Sequence, residues 1–315
     1  MSQALYMGID IGGTAMSVGL VTEDGRLMEL RRMSTPRAAG AQACLQELTA
    51  AAAELAKAKS RPIAVGIGFG GPVDPVAGCV RRSHHVPGWA GMELAAIFCR
   101  ATGLPTYIEN DANAGALAEA LFGAGKGRDP VLYVNVGTGI GGGLIIGGKI
   151  YRGSHFNAAE LGHIVLVPDG PQCPCGKRGC VEALASGDAI GRRAREMQQA
   201  GMLADSLMAD EGELTGKLVG EYACQGDKKA QRIIAEAGRF LGWALAIAAN
   251  IIDPEIIVVG GGVAELGDLY LAPARERYRE LAMDYVGDVP IVPAALGYDA
   301  GVIGAAAVAM IAQQS

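Results

Sequence analysis

Two stretches of the chain share one pattern. "YMGIDIGGTAMSVGLV" at residues 6–21 and "PVLYVNVGTGIGGGLIIGGKI" at 130–150 each read as a β-rich run, a glycine turn and a further β-rich run. Alternation of apolar and small or polar residues marks both as paired strands, and the stretch at 130–150 resembles a distant internal repeat of that at 6–21. A repeat of this kind favours two similar α/β lobes over one large core, which 315 residues would overfill. After the first hairpin "EDG" turns the chain again, and helical stretches ("AQACLQELTAAAAELAKAK", "MELAAIFCRATG", "DANAGALAEALFG") alternate with the strands "IAVGIGF" and "PTYIEN". Beyond the second hairpin come a polar cysteine loop, helical segments through 184–250 and the strand "EIIVVGG". A helix near 273–283, the strand "VPIVPA" and the terminal helix "AGVIGAAAVAMIAQQ" follow. No Pro- or Ser-rich linker separates the halves. The expected organisation is an N-terminal α/β lobe over 1–113, completed by the C-terminal helix 300–315, and a second α/β lobe over 114–299, meeting around a cleft.

Glycine is the compositional excess: 47 residues of 315, about twice ordinary usage. The glycines gather at "DIGGT", "GIGFGG", "VGTGIGGG" and "VVGGG", each after a β-rich run, where bare backbone can approach a ligand closely. Gly137, Gly139 and Gly142 have G-x-G-x-x-G spacing. That fingerprint must open a helix, and here the strand-like "LIIGG" follows. "DIGGT" is not followed by G-K-[ST], so it is not a P-loop either. Two glycine hairpins, one per lobe, are instead suited to grip a nucleoside triphosphate through backbone N–H groups and a threonine hydroxyl. Asp10, next to Gly12-Gly13-Thr14, then stands where Mg²⁺ and its waters need a carboxylate; the alternative is an Asp that stabilises the turn.

"YIENDANAGALAEALF" sets Asn110 and Asp111 between a strand and a helix. Asp111 there is either a helix cap or a base that takes a proton from an alcohol attacking phosphorus, and the two roles are compatible. "CPCGKRGCVE" clusters Cys173, Cys175 and Cys180. Three thiolates on one loop favour Zn²⁺ completed by a fourth ligand. His163 in "AELGHIVLV" is the foremost candidate, with His155 and Asp169 as alternatives. A redox C-x-x-C spacing is absent from this loop, and the odd total of seven cysteines argues against a disulfide framework. A Cys₃His site has no open position, so its role is structural. It would hold Glu160 and Glu182, a carboxylate pair suited to a polyol. Zinc removal is accordingly expected to weaken sugar binding before ATP contacts.

Net charge is −6 with no basic run, which removes the electrostatic footprint of nucleic-acid binding. No apolar run reaches membrane-span length and no secretory signal stands at the start, so a cytoplasmic protein is expected.

Taken together these residues resemble the ROK family (repressors, uncharacterised reading frames and sugar kinases). "DIGGT", "ENDAN", "VGTGIGGG", "ELGH" with "CPCGKRGCVE", and "DPEIIVVGGGV" occur in the family's order along essentially the whole chain. The resemblance implies a two-lobed actin- and hexokinase-like (ribonuclease H-like) ATPase fold with an interlobe cleft, and transfer from ATP with Mg²⁺ to a sugar hydroxyl, usually O6. It implies Asp111 as catalytic base, and Asn110, Glu160, His163 and Glu182 as sugar contacts, with Gly71 at the border of the sugar pocket. His163, Cys173, Cys175 and Cys180 match the zinc ligands. Gly12, Gly13, Thr14, Gly137, Thr138 and Gly139 match the phosphate loops, and Gly260, Gly261 and Gly262 the adenosine side.

The sequence also departs from the family pattern. Ala15 replaces the Lys that many members carry after "GGT", which removes a cation from the phosphates. Gly70 stands where Pro is common, Ala159 where Gly usually precedes the glutamate, and His85, in the "HHVPGW" stretch that resembles glucokinase-like members, where Asn is frequent. These three border the sugar pocket, so the acceptor is glucose or a related hexose: N-acetylglucosamine, N-acetylmannosamine, mannose, fructose or allose. ROK repressors carry an N-terminal helix-turn-helix module, for which a chain whose "DIGGT" starts by residue 10 leaves no room. A zinc-stabilised sugar-binding protein without turnover is the third reading. A homodimer or homotetramer is expected by family analogy.

Overall fold

Each of the two hairpins seeds a five-stranded sheet. The computed structural model describes residues 3–57, 61–83 and 86–314. Strands β1 (Leu5–Ile11), β2 (Ala15–Thr22) and β3 (Leu27–Ser34) lead into α1 (Gly40–Leu55) and β4 (Val65–Phe69). A short hairpin, β5 (Val73–Asp74) with β6 (Cys79–Val80), precedes α2 (Leu94–Thr102), β7 (Thr106–Asn110) and α3 (Asp111–Phe122). The pattern restarts with β8 (Val131–Val136), β9 (Ile140–Ile146) and β10 (Lys149–Ile150), then α4 (Val181–Ala185), α5 (Gly187–Gln199), α6 (Gly216–Cys224) and α7 (Lys228–Ile252). The chain finishes with β11 (Ile256–Gly260), α8 (Asp268–Leu281), β12 (Ile291–Pro293) and α9 (Ala300–Gln314). The helix expected near 273–283 thus starts earlier, with Pro273 inside it.

The sheets have matching strand orders, β3-β2-β1-β4-β7 and β10-β9-β8-β11-β12. In the first, β1 runs antiparallel to β2 and parallel to β4, and β4 parallel to β7. In the second, β11 runs parallel to both β8 and β12. Register decides what this does for a site. Ile11 is level with Phe69, and Phe69 with Asn110, so the segments after β1, β4 and β7 leave one edge together. Asn135 is level with Gly260, which brings the segments after β8 and β11 together in the same way. Carboxyl ends of parallel strands are where open α/β sheets bind ligands.

The chain divides into two compact units: Met1–Gly127 with Gly143–Ala158 and Ala295–Ser315, and Arg128–Gly142 with Ala159–Ala294. The boundary expected at residue 114 falls inside α3 (Asp111–Phe122), and the terminal helix belongs to the first unit. The core of the first unit centres on Met7, Ile9, Val18, Ile67, Phe69, Leu48 and Phe98, with Trp89 edge-on to Phe69 at 5.5 Å. Its α9 lies directly on the sheet: a Cβ at Gly8 would come 1.9 Å from the Val302 carbonyl oxygen, and one at Gly66 would come 1.7 Å from that of Ala305. These two glycines therefore serve helix-to-sheet packing, a use that the glycine clusters alone did not suggest. Glu119, wholly buried on α3, accepts the N–H groups of Ala124, Ala295 and Leu296 and so fixes the approach to α9. The second unit's core gathers Leu132, Val134, Ile257, Val259, Leu241, Leu245 and Tyr270. No helix among the described residues is long and apolar enough to cross a membrane.

Candidate active site

In the first unit the β1–β2 turn is closed by its own backbone, the Gly12 N–H donating to the Ala15 carbonyl at 3.1 Å. The segment after β3 folds over it. Thr35 donates its N–H to the Thr14 carbonyl at 3.0 Å and its hydroxyl to the Gly12 carbonyl at 2.8 Å. Asp10, the last residue but one of β1, lies beside this turn, level with Gly68 of β4. A Cβ at Gly301 would sit 2.5 Å from Asp10 Oδ2, so only a bare α9 start leaves room for the carboxylate. Burial, and then the charge of Asp111, push the Asp10 carboxyl up to about 7. Two like charges held together in this way form a setting that a divalent cation relieves.

Asn110 and Asp111 leave β7 at the same edge. Asn110, not Asp111, is the N-cap of α3: its Oδ1 accepts the N–H groups of Ala112 at 3.0 Å and Asn113 at 3.2 Å. Asp111 is the first helical residue and is thereby released from the capping role that its residue type suggested. Its Oδ1 accepts the Ala112 N–H at 2.9 Å and the Asn110 amide at 3.1 Å. Asn110 also donates to the Gly71 carbonyl at 3.3 Å, which places Gly71 against a residue named with it from the sequence. Behind them Glu109, buried, accepts from the Asn110 N–H at 3.0 Å, the Asn113 amide at 3.0 Å and Arg152 at 2.6 Å. Sequence reasoning missed this supporting carboxylate. Its one signal was an acid that follows Ile108 on a strand leading straight into Asn110 and Asp111.

The second unit repeats the arrangement. Gly137 N–H donates to the Gly139 carbonyl at 2.9 Å, closing the β8–β9 turn. The first turn of α5 braces it: Gly187 N–H donates to the Gly137 carbonyl at 2.8 Å and Asp188 N–H to that of Thr138 at 3.3 Å. Gly260 ends β11, and Gly261 turns the chain at φ +87° so that the Val263 N–H reaches the Val136 carbonyl at 3.0 Å. The glycines after β8 and β11 are therefore neighbours.

The cysteine loop closes on itself. Cys173 N–H donates to the Lys177 carbonyl at 2.8 Å and Gly176 N–H to that of Cys173 at 3.0 Å. Gly179 has φ +67°, and a Cβ there would lie 1.5 Å from the Val167 carbonyl oxygen, so no other residue fits. Val181 N–H donates to the Ile164 carbonyl at 2.9 Å, which draws His163 to the knot. His163 and the three cysteines offer ligand atoms that all lie within 4.8 Å of one another. Sγ of Cys175 is 3.7 Å from that of Cys180, and His163 Nδ1 is 3.7 Å from Cys173 Sγ. A tetrahedron with metal–sulfur bonds of about 2.3 Å has edges of roughly 3.8 Å, so the two 3.7 Å spacings match such a cation and the donor set as a whole is of the right size to hold one. Among the described residues His155 and Asp169 are outside this cluster. Burial pushes the Cys173 thiol up, so metal binding there expels protons.

Glu160 and Glu182 flank the knot. Enclosure of the Glu160 carboxyl raises it, with His163 opposing and Glu182 adding to the shift. Glu182 is engaged twice: Oε2 accepts the Ile140 N–H at 2.9 Å, and Oε1 lies 3.8 Å from Cys173 Sγ. Ala159, just before Glu160, is held at φ +61°, the left-handed region that favours glycine.

The profile of the ROK family matches residues 6–312. The chain belongs to the ROK family. A glucokinase of Thermotoga maritima is 37% identical over 311 residues, covering 98% of each chain. An N-acetylmannosamine kinase of Escherichia coli is 33% identical, covering 96% of this chain and 97% of its own. The structure of a ROK family glucokinase from Streptomyces griseus with glucose and AMPPNP superposes with a TM-score of 0.87 at 38% identity, over 98% of this chain and all of the other. The two mixed five-stranded sheets match this actin- and hexokinase-type ROK fold. Of the departures from the ROK pattern, His85, with its neighbour His84, lies outside the described residues.

Proposed function

We propose that this protein is an ATP-dependent hexose kinase that phosphorylates glucose at O6. The observation that carries the reading is Asp111: a carboxylate oriented by the Ala112 N–H and the Asn110 amide, on the strand edge that also carries Asp10 and the Gly12–Thr14 turn. Asp111 accepts the O6 proton as the oxygen bonds to the terminal phosphorus, and the bond from that phosphorus to the bridging oxygen of ADP breaks. Backbone N–H groups of Gly13 and Thr14, and those of Thr138 and Gly139, cradle the phosphates in turns that Gly12 and Gly137 close, while Gly260, Gly261 and Gly262 border the adenosine. Mg²⁺, held with its waters by Asp10, supplies charge neutralisation at the phosphates. Asn110, Gly71, Glu160, His163 and Glu182 bind the sugar. Zn²⁺ on His163, Cys173, Cys175 and Cys180 is structural.

Support comes from the relatives. The Thermotoga maritima protein is a glucokinase, and the Streptomyces griseus structure holds glucose with an ATP analogue. An N-acetylhexosamine acceptor is the second reading, favoured by the N-acetylmannosamine kinase at 33% identity. A cytoplasmic site of action and a homodimer or homotetramer complete the proposal. ADP release measured across glucose, mannose, fructose, allose and the two N-acetylhexosamines decides the acceptor, with metal content and light scattering on the same preparation. Glucose giving the highest kcat/KM is expected. Release with none of them overturns the kinase reading.

A further inference from the structure

The first phosphate turn has no cation in its own sequence, since Gly12-Gly13-Thr14 runs directly into Ala15. The fold brings one from another segment. Ala15 pairs with Ser34 across β2 and β3, and the bonds from Thr35 to Thr14 and Gly12 carry the chain back across the turn. Arg37 follows at the start of a single 3₁₀ turn. Its Nε donates to the Gly13 carbonyl and its Nη2 to Thr14 Oγ1 at 2.7 Å. No carboxylate lies within ion-pair distance of this guanidinium among the described residues, and both Arg37 and Thr14 face solvent.

Two consequences follow from the chemistry of these groups. A guanidinium has five N–H donors, and two of Arg37's are spent on the turn, so the charge and the remaining donors stay available to an anion beside Gly13 and Thr14. Arg37 also occupies an acceptor position on Thr14 Oγ1, so the threonine proton is directed to another acceptor. Bare backbone, a hydroxyl aimed outward and an arginine without a carboxylate form an anion site, and arginine favours phosphate because its planar fork matches two phosphate oxygens.

We propose that Arg37 is the cation of the first phosphate turn: it fixes Thr14 as a donor and presents its charge to the terminal phosphates of ATP, in place of a side chain at position 15. This rests on the ATP-dependent reading above. It assigns the segment after β3 a part in nucleotide binding.

The test uses purified full-length protein with Arg37→Ala, Arg37→Lys and the double change Ala15→Lys with Arg37→Ala. In Arg37→Ala, kcat/KM for ATP should fall about 10- to 100-fold, with KM for the hexose within about twofold. Calorimetry should show the affinity for ATP and ADP falling while that for adenosine holds. Lysine at position 15 in the double variant should restore at least a third of the loss, and Arg37→Lys should fall between the wild type and Arg37→Ala. A merely structural Arg37 would instead weaken adenosine and ATP equally, lower the melting temperature and gain nothing from the added lysine; that result overturns the proposal. An unchanged KM for ATP and unchanged kcat in Arg37→Ala would also sink it. Should the wild type phosphorylate none of the sugars, the kinase reading fails on that count, and the calorimetric comparison of ATP with adenosine still decides the role of Arg37.

Discussion

Glu182 accepts the Ile140 N–H through Oε2 at 2.9 Å, at the first residue after the Gly137–Gly139 turn. Its other oxygen is 3.8 Å from Cys173 Sγ. The cysteine knot and the Gly137–Gly139 turn therefore share one carboxylate, so metal loss is expected to reach that turn as well as the Glu160–Glu182 pair. Stripping the metal with a chelator should lower AMPPNP affinity together with glucose affinity, each by about tenfold. Hydrogen exchange at 138–142 should rise in the same sample. Glu182→Gln keeps an acceptor for Ile140 and should hold the turn; Glu182→Ala, which leaves that N–H unmatched, should destabilise the protein by about 1–3 kcal/mol. Normal AMPPNP affinity in the metal-free protein would break this link.

Asp111 and Asn110 should separate by their readouts. Asp111→Asn removes the carboxylate proposed as the base and leaves the helix cap in place, so kcat should fall by about 10²- to 10⁴-fold while calorimetry shows glucose bound within a few-fold of wild type. Asn110→Ala removes the cap itself and should cost about 1 kcal/mol of stability in denaturant unfolding, in addition to any loss of sugar affinity.

Asp10 makes stability depend on pH in an unusual direction for a carboxylate. Burial and Asp111 raise its pKa in the folded protein to about 7, above the ordinary value near 4 in the unfolded chain. Between these values the folded state holds the extra proton, so this group's contribution to stability falls as pH rises from about 4 to about 7 and is level beyond. At 1.36 kcal/mol per pH unit the total lies below a ceiling on the order of 4 kcal/mol. Urea unfolding at several pH values should show this slope without Mg²⁺ and lose most of it with Asp10→Asn, which should also unfold at higher urea above pH 7.

Ala159 occupies a left-handed conformation, φ +61°, that costs an alanine about 1 kcal/mol or more. Glycine removes that strain but gives the unfolded chain more freedom, an offset of roughly 0.4–1 kcal/mol. Ala159→Gly should thus be neutral to slightly stabilising in thermal unfolding, and should free the backbone ahead of Glu160. A clear loss of stability would show that the Ala159 methyl makes packing contacts that outweigh its backbone strain.

Much of the site was legible before any fold was known, and the reasons differ by residue. The hairpins were readable because strand alternation and glycine turns are local. The metal cluster was readable because Cys173, Cys175 and Cys180 lie on one loop and His163 stood foremost among the candidate fourth ligands; the bond that draws Val181 to Ile164 shows how the fold brings His163 to them. The capping of α3 by Asn110 rather than Asp111 turned on a one-residue shift in where the helix begins, which composition does not resolve. Glu109 with Arg152, and Glu119 with Ala295 and Leu296, lay beyond reach because each joins segments distant in sequence.

By itself the sequence determined which residue types stand at each turn: glycines where the chain turns between strands, one carboxylate next to the end of β1 and another just after β7, and thiols at metal spacing. These follow from dihedral freedom, side-chain period and ligand chemistry, all of which act over a few residues. Only the tertiary structure decided how those groups are charged and held. Burial, together with the level register of β1, β4 and β7 that sets Asp111 beside Asp10, raises the Asp10 pKa. The pairing of β2 with β3 returns Arg37 to a turn that has no cation of its own. Electrostatic and hydrogen-bonding terms depend on distance through space, and distance between remote segments is fixed only when the sheets pair and the helices pack.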